Sequence, residues 1–198
     1  MKIGDAQLDK LLSAQSPLAL KQQLAARSLS PTLPQAGKLL EHLKSLDANP
    51  VPVRLGIVHT YTSELLDPWL DFSAALNGIA LQTYHAPYGV TVQEATANSG
   101  LARHQPDVTL LLLRPADLHP DLATPLALFG AEQRGELREA ALAALDNLVG
   151  MLRAVVSGQI VVTLLPDQAP TGLGLFDAMA EQSESAWWSD TRRAIAST

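Results

Sequence analysis

The chain has 198 residues, of which 47% are hydrophobic and 17% charged, with a net charge of −6 and no cysteine. That length supports a domain with a sizeable core, and the composition is globular rather than disordered. The missing cysteines exclude disulfides, thiolate catalysis and Cys-ligated zinc, and the absence of any Lys/Arg run argues against nucleic acid as a partner.

Residues 1–50 read as helices and form an N-terminal extension. Leu8, Leu11 and Leu12 share one face, Leu18, Leu20 and Leu24 share another less cleanly, and Leu39, Leu40, Leu43 and Leu46 make a stripe at helical spacing. Ser16-Pro17 and Ser30-Pro31 have the form of helix starts, with Ser as N-cap and Pro as first helical residue. The opening MKIGDAQLDKLLSAQS lacks a basic segment followed by an apolar core, so no signal peptide is expected. No apolar run is long enough to span a bilayer, and the expected location is the cytoplasm. Asn49-Pro50-Val51-Pro52 ends the helical region, because the residue before a proline is pushed out of the helical basin.

From residue 51 to 198 the pattern becomes strand–helix alternation. Residues 54–60 read as a strand and 63–78 as a helix closed by Asn77-Gly78. Residues 79–86 read as a second strand. DVTLLLL at 107–113 is a third, continuous and aliphatic, as a strand buried on both faces should be. A long helix covers 136–156, a fourth strand 159–166, and the tail begins one more helix that is expected to continue. Such alternation implies crossover units and a parallel sheet. No GxxxxGK[ST] and no GxGxxG after the first strand is present, so nucleotide-binding loops have no support. The Gly172-Leu173-Gly174 segment reads as a turn.

Ligands of open α/β sheets bind beyond the carboxyl ends of the strands, and this edge carries the candidate chemistry. The turn after the first strand reads His59-Thr60-Tyr61-Thr62-Ser63. Thr62 or Ser63 has the position of a nucleophile at a strand-to-helix turn, or Thr62 is simply the helix cap with Glu64 complementing the dipole. His59 is a candidate base or substrate hydrogen-bonder, and His85 ends the second strand on the same edge. Arg114 emerges from the third strand, where a guanidinium clamps a carboxylate or phosphate. Asp117, His119 and Asp121 form a loose metal-ligand pattern, outweighed by a solvated loop with two helix caps, because a hard cation wants more oxygen ligands. Backbone amides at Gly89 or Gly100 could serve an anionic centre.

The segments GIVHTYTSELLDPWL, QTYHAPYGVTVQEATANSGLARHQPDVTLLLL and VVTLLPDQAPTGLGLFD together resemble the N-terminal domain of FkbH-like proteins. The shared features are a Thr after the first strand, a Pro-Tyr-Gly turn after the second, Ser99-Gly100 ahead of the third, and a Pro…Gly turn after the fourth. The resemblance covers roughly residues 17–195. It implies a three-layer α/β/α, flavodoxin-like fold of the SGNH-hydrolase type. In that family the domain precedes a haloacid-dehalogenase-like domain that builds glyceryl-acyl carrier protein for polyketide extender units.

The chain departs from that pattern. The DxDxT motif of the second domain is absent. The Gly-Asp-Ser position falls at His59-Thr60-Tyr61, so Thr62 or Ser63 would replace the usual serine. The oxyanion Asn position falls near Ala116, Gly89 fits the oxyanion glycine, and no DxxH block occurs. The resemblance therefore implies an SGNH-like domain of a carrier-protein-linked glyceryl or acyl transfer system, with an altered esterase site. Thr62 and His59 are the catalytic candidates, and Thr60, Ser63, His85, Gly89, Ser99 and Arg114 the substrate-binding ones. No metal or cofactor is implied. The partners would be an acyl carrier protein or a haloacid-dehalogenase-like catalytic domain. A non-catalytic docking module and a free-standing acyl-ester hydrolase are the alternatives.

Overall fold

The computed structural model describes residues 3–46, 49–164, 174–180 and 183–196. Three helices come first: α1 (Asp5–Leu12), α2 (Pro17–Ala26) and α3 (Leu33–Leu46). The Ser16 hydroxyl accepts from the Ala19 N–H at 3.2 Å, so α2 starts where the Ser-Pro pair indicates. The third helix starts later than Ser30-Pro31. The Thr32 carbonyl takes its first bond, from the Ala36 N–H at 2.8 Å, and the Gln35 side chain returns to the Thr32 N–H at 2.9 Å. Thr32 and Gln35 thus satisfy donors that Ser30 would have left two residues away.

β1 (Val51–His59) leads into a 3-10 turn at Glu64–Leu66 and then α4 (Asp67–Ala75). The expected single helix from residue 63 is broken for a specific reason. Pro68 would sit in its interior, without an N–H and with its ring against the Glu64 carbonyl. Restarting at Asp67 puts Pro68 in the first turn, where it is tolerated. β2 (Ile79–His85) follows, then the short helices α5 (Thr91–Glu94) and α6 (Gly100–His104), β3 (Val108–Leu113), α7 (Pro115–Leu118), the long α8 (Ala131–Arg153), β4 (Gln159–Leu164) and α9 (Glu184–Ala196). The Gln133 side chain accepts from the Gly130 N–H at 3.0 Å, which lets α8 begin at 131. The fourth-strand turn and most of Gly172-Leu173-Gly174 lie outside the described residues.

The four strands form a parallel sheet in the order β2-β1-β3-β4, flanked by helices. This is a flavodoxin-like α/β fold. β3 and β4 run in parallel register from Val108 opposite Gln159 to Leu113 opposite Leu164. Thr109, Leu111, Leu112 and Leu113 are all buried, as the unbroken aliphatic run requires. Among the described residues no helix is long and apolar enough to cross a membrane.

The chain divides into two compact units. One comprises residues 1–55 and 62–84, the other 56–61 and 85–198. In the first, Leu11, Leu20, Leu39 and Leu43 of the N-terminal helices form one apolar cluster with Phe72 of α4. Each such Leu contributes about 1.5–3 kcal/mol by leaving water. In the second, Leu122, Leu126, Leu137, Ala141 and Trp187 form a cluster, and the Trp187 indole donates to the Arg134 carbonyl at 2.9 Å.

Candidate functional site

In an open sheet of this order the ligand crevice lies where strand order reverses, between the carboxyl ends of β1 and β3. Residues of the second unit converge there. Thr60, directly after β1, donates its N–H to the Leu112 carbonyl of β3 at 3.2 Å. Its hydroxyl, on a residue only 7% exposed, makes a short hydrogen bond to the Asp117 carboxylate of α7. Asp117 also accepts from the Arg114 N–H at 2.7 Å and from the Arg114 guanidinium at 3.2 Å. One carboxylate therefore ties the end of β1 to the first turn after β3.

The electrostatics follow from those contacts. Burial works against the Asp117 charge. The hydrogen bonds from Thr60 and from the Arg114 N–H and guanidinium, with the Arg114 charge, outweigh it and hold the carboxyl below its usual range. Tyr61, beside it, is shifted the other way: burial, and then the negative charge of Asp117, raise its phenol above the ordinary value. The site thus holds a firmly ionised carboxylate, a neutral phenol, a hydroxyl and a guanidinium.

His59 is 2% exposed, and both ring nitrogens lie on carbonyl oxygens. Nδ1 is 2.6 Å from the Tyr61 oxygen and Nε2 is 2.9 Å from the Ala86 oxygen. A neutral imidazole donates through one nitrogen only, so which carbonyl receives the N–H depends on the tautomer. The ring edge also meets His85, at 5.9 Å between centroids, and Tyr88 at 6.3 Å. The loop after β2 is further held by the Ala86 N–H on the Ile57 oxygen at 2.8 Å and the Gly89 N–H on the His59 oxygen at 3.2 Å. Gly89 has φ +72°, a left-handed conformation that glycine adopts without strain.

These contacts revise several residue roles. His59 acts as a strut between two loops, and neither ring nitrogen stands open as a base. The Gly89 amide is committed to the His59 carbonyl, so it does not point at an anionic centre. Asp117 turns to Thr60 and Arg114, while His119 accepts the Asp121 N–H at 3.3 Å and caps the next turn. The Asp117-His119-Asp121 pattern is therefore capping chemistry, as the solvated-loop reading has it. Ser99 caps α6 by accepting the Ala102 N–H at 2.9 Å. Its neighbour Glu94, 6% exposed, accepts the Leu101 N–H at 2.8 Å.

Thr62 and Ser63 belong to the first unit. Thr62 is exposed and does not cap α4, because the 3-10 turn intervenes. Ser63 is fully buried, its N–H donates to the Glu64 carboxylate at 3.0 Å, and its hydroxyl has no hydrogen-bond partner among the described residues. Asp117 is the residue of this network whose role the sequence shows least openly. The available signal was its place three residues after Arg114, a spacing at which a carboxylate reaches back to the N–H that opens a helical turn.

No protein-family model matches this chain, and no curated protein matches it. In fold it is similar to a crystal structure of the N-terminal part of the protein BF1531 from Bacteroides fragilis, which contains a phosphatase domain complexed with Mg. The TM-score is 0.57 at 15% identity, over 82% of this chain and 41% of that one. The chain thus spans less than half the length of that structure, and the likeness is one of fold.

Proposed function

We propose that this chain is the SGNH-like, FkbH-type domain of a carrier-protein-linked glyceryl or acyl transfer system, and that it binds the carried group rather than hydrolysing it. The observation that carries the reading is the Thr60–Asp117–Arg114 network at the β1/β3 switch point. A hydroxyl, a carboxylate and a guanidinium at a sheet edge suit a polar acyl group such as glyceryl, whose hydroxyls need both donors and acceptors. Asp117 is held ionised by its own donors and is a weak proton acceptor, and His59 has both nitrogens on carbonyls. A hydroxyl without a positioned base is a poor nucleophile. The phosphatase domain in the BF1531 structure supports a second element of the reading, that a domain of this fold works beside a phosphoryl-handling catalytic domain.

The test is a titration of the chain with an acyl carrier protein bearing either a glyceryl-loaded or an unloaded phosphopantetheine arm. Tighter binding of the loaded form, weakened about tenfold in Thr60→Ala, is expected from one lost hydrogen bond in a buried site. Equal affinity for the two forms would refute binding of the carried group. Turnover of a short-chain acyl ester, lost in Thr62→Ala and kept in Thr60→Ala, would replace the binding reading with a hydrolase.

A further inference from the structure

The whole-chain charge of −6 hides a marked asymmetry. Residues 1–46 hold six Lys/Arg against three Asp/Glu, a net +3, so the rest of the chain carries −9. Within that basic segment the cations are not equivalent. Lys21 donates to the Asn77 side chain at 2.6 Å, and Lys44 pairs with Glu41 at 3.4 Å. Lys10 at the end of α1 and Arg27 just past α2 are exposed and form no hydrogen bond or ion pair with any described side chain. Both line one cleft of about 450 Å³ in the first unit.

The cleft has the chemistry of a protein-docking surface. Leu11 and Leu29 form an apolar floor, Gln22 and Gln23 supply amides that donate and accept, and Lys10 and Arg27 supply positive charge. Its volume exceeds what one carboxylate or phosphate group needs. Asp71 of α4 lines a different cleft together with Lys44, and among the described residues no Asp or Glu lines this one.

We infer that the α1/α2 cleft is the docking surface for an acidic helical face of a partner protein, with Lys10 and Arg27 meeting carboxylates across the interface. Resting on the proposed function, that partner is the carrier protein. The charge distribution carries the assignment: residues 1–46 hold a net +3 and the rest of the chain a net −9, so an acidic partner is favoured at this segment. Complementary potential of this kind sets association rate and orientation and weakens with salt.

The experiment uses the full 198-residue chain and an unloaded, phosphopantetheinylated acyl carrier protein as probe, which separates docking from recognition of the carried group. The charge-reversed Lys10→Glu/Arg27→Glu variant is expected to lose at least about tenfold in affinity, mostly in the association rate, while wild-type binding falls as salt rises. Lys38→Glu, a reversal on α3 at a residue that does not line the cleft, is expected to change affinity less than about twofold, because an exposed charge outside the contact is screened by salt. Lys10→Gln/Arg27→Gln, milder and equally exposed, should fall between, with an unchanged circular dichroism spectrum for all variants. Wild-type affinity retained in the doubly reversed variant would overturn the docking surface while leaving the glyceryl reading in place. Equal losses in Lys38→Glu would overturn it too, as would no binding of the unloaded carrier. Selective binding of the loaded form alone would then still support the sheet-edge site.

Discussion

Asp117→Asn tests the network that joins β1 to the turn after β3. The carboxylate accepts three donors: the Thr60 hydroxyl, the Arg114 N–H and the Arg114 guanidinium. An asparagine keeps one acceptor oxygen and turns an NH₂ toward donors. Weakening the Thr60 hydroxyl's bond, on a residue 7% exposed that keeps the Leu112 carbonyl at 3.5 Å as a second acceptor, costs about 0.5–1.5 kcal/mol. Losing the reach-back to the Arg114 N–H costs about 1 kcal/mol more. The ion pair itself adds little, because the Arg114 side chain is 44% exposed and the pair is screened, which limits it to about 0.5 kcal/mol. The total is about 2–3 kcal/mol, or a fall in Tm of roughly 4–12 °C for a chain of this size. Thermal unfolding followed by circular dichroism measures it, and amide hydrogen exchange at Arg114 reports the local opening. The pH dependence has a definite sign. The folded-state carboxyl sits below its usual range, so its stabilisation is present above the ordinary carboxylate pKa and is lost as pH falls through the lower folded value. The gap between wild type and variant should therefore narrow in acid. A variant within about 1 °C of wild type at pH 7, with Arg114 exchange unchanged, would show that the network contributes nothing and refute the reasoning; the 1 °C threshold corresponds to less than about 0.5 kcal/mol.

Three further outcomes follow from the same geometry. Asp177, which accepts from Ser185 side chain and backbone, the Glu184 N–H and the Ser183 hydroxyl, has its carboxyl lowered to about 2. Asp177→Asn should flatten the acid limb of the stability curve between the ordinary carboxylate pKa and about 2, and an unchanged limb in an acid titration of unfolding would contradict that role. Thr109 is fully buried in β3 with a hydroxyl that has no partner among the described residues, so Thr109→Val should be neutral or stabilise by up to about 1 kcal/mol in urea unfolding, and a clear loss would point to an unrecognised partner. Gly158→Ala would drive a methyl into the Pro106 and Asp107 backbone beside the start of β4, and a destabilisation of about 1–3 kcal/mol is expected from the same measurement; a neutral result would mean that this turn yields easily.

The fold was readable where local signals are strong. VTLLLL could be little other than a buried parallel strand, and Ser16-Pro17 marked a helix start that the Ala19 N–H confirms. The start of the helix after β1 is not legible in periodicity, because the apolar pattern continues straight across Pro68, whose missing N–H decides the boundary. The site was readable as a place but not as a set of contacts. His59, Thr60 and Arg114 stand at strand ends in the sequence. That Thr60 meets Asp117, 57 positions on, depends on β1 lying beside β3, and no spacing rule reports strand order. His59 likewise finds the Ala86 carbonyl 27 positions away. Ring nitrogens that read as a base on paper are occupied by backbone. The basic helices escaped notice because a whole-chain charge averages away a local surplus.

The division of the chain has a consequence for how it could be taken apart. The backbone passes from one unit to the other after Leu55, after Tyr61 and after Tyr84, so the boundary is drawn in space and crosses the sequence three times. No single cut releases either half whole. Removing residues 1–50 as though they were a leader would strip Phe72 of nearly every buried neighbour in its cluster. The leucine-rich helices are thus not a cassette that could be gained or shed alone; they and α4 must be kept or lost together.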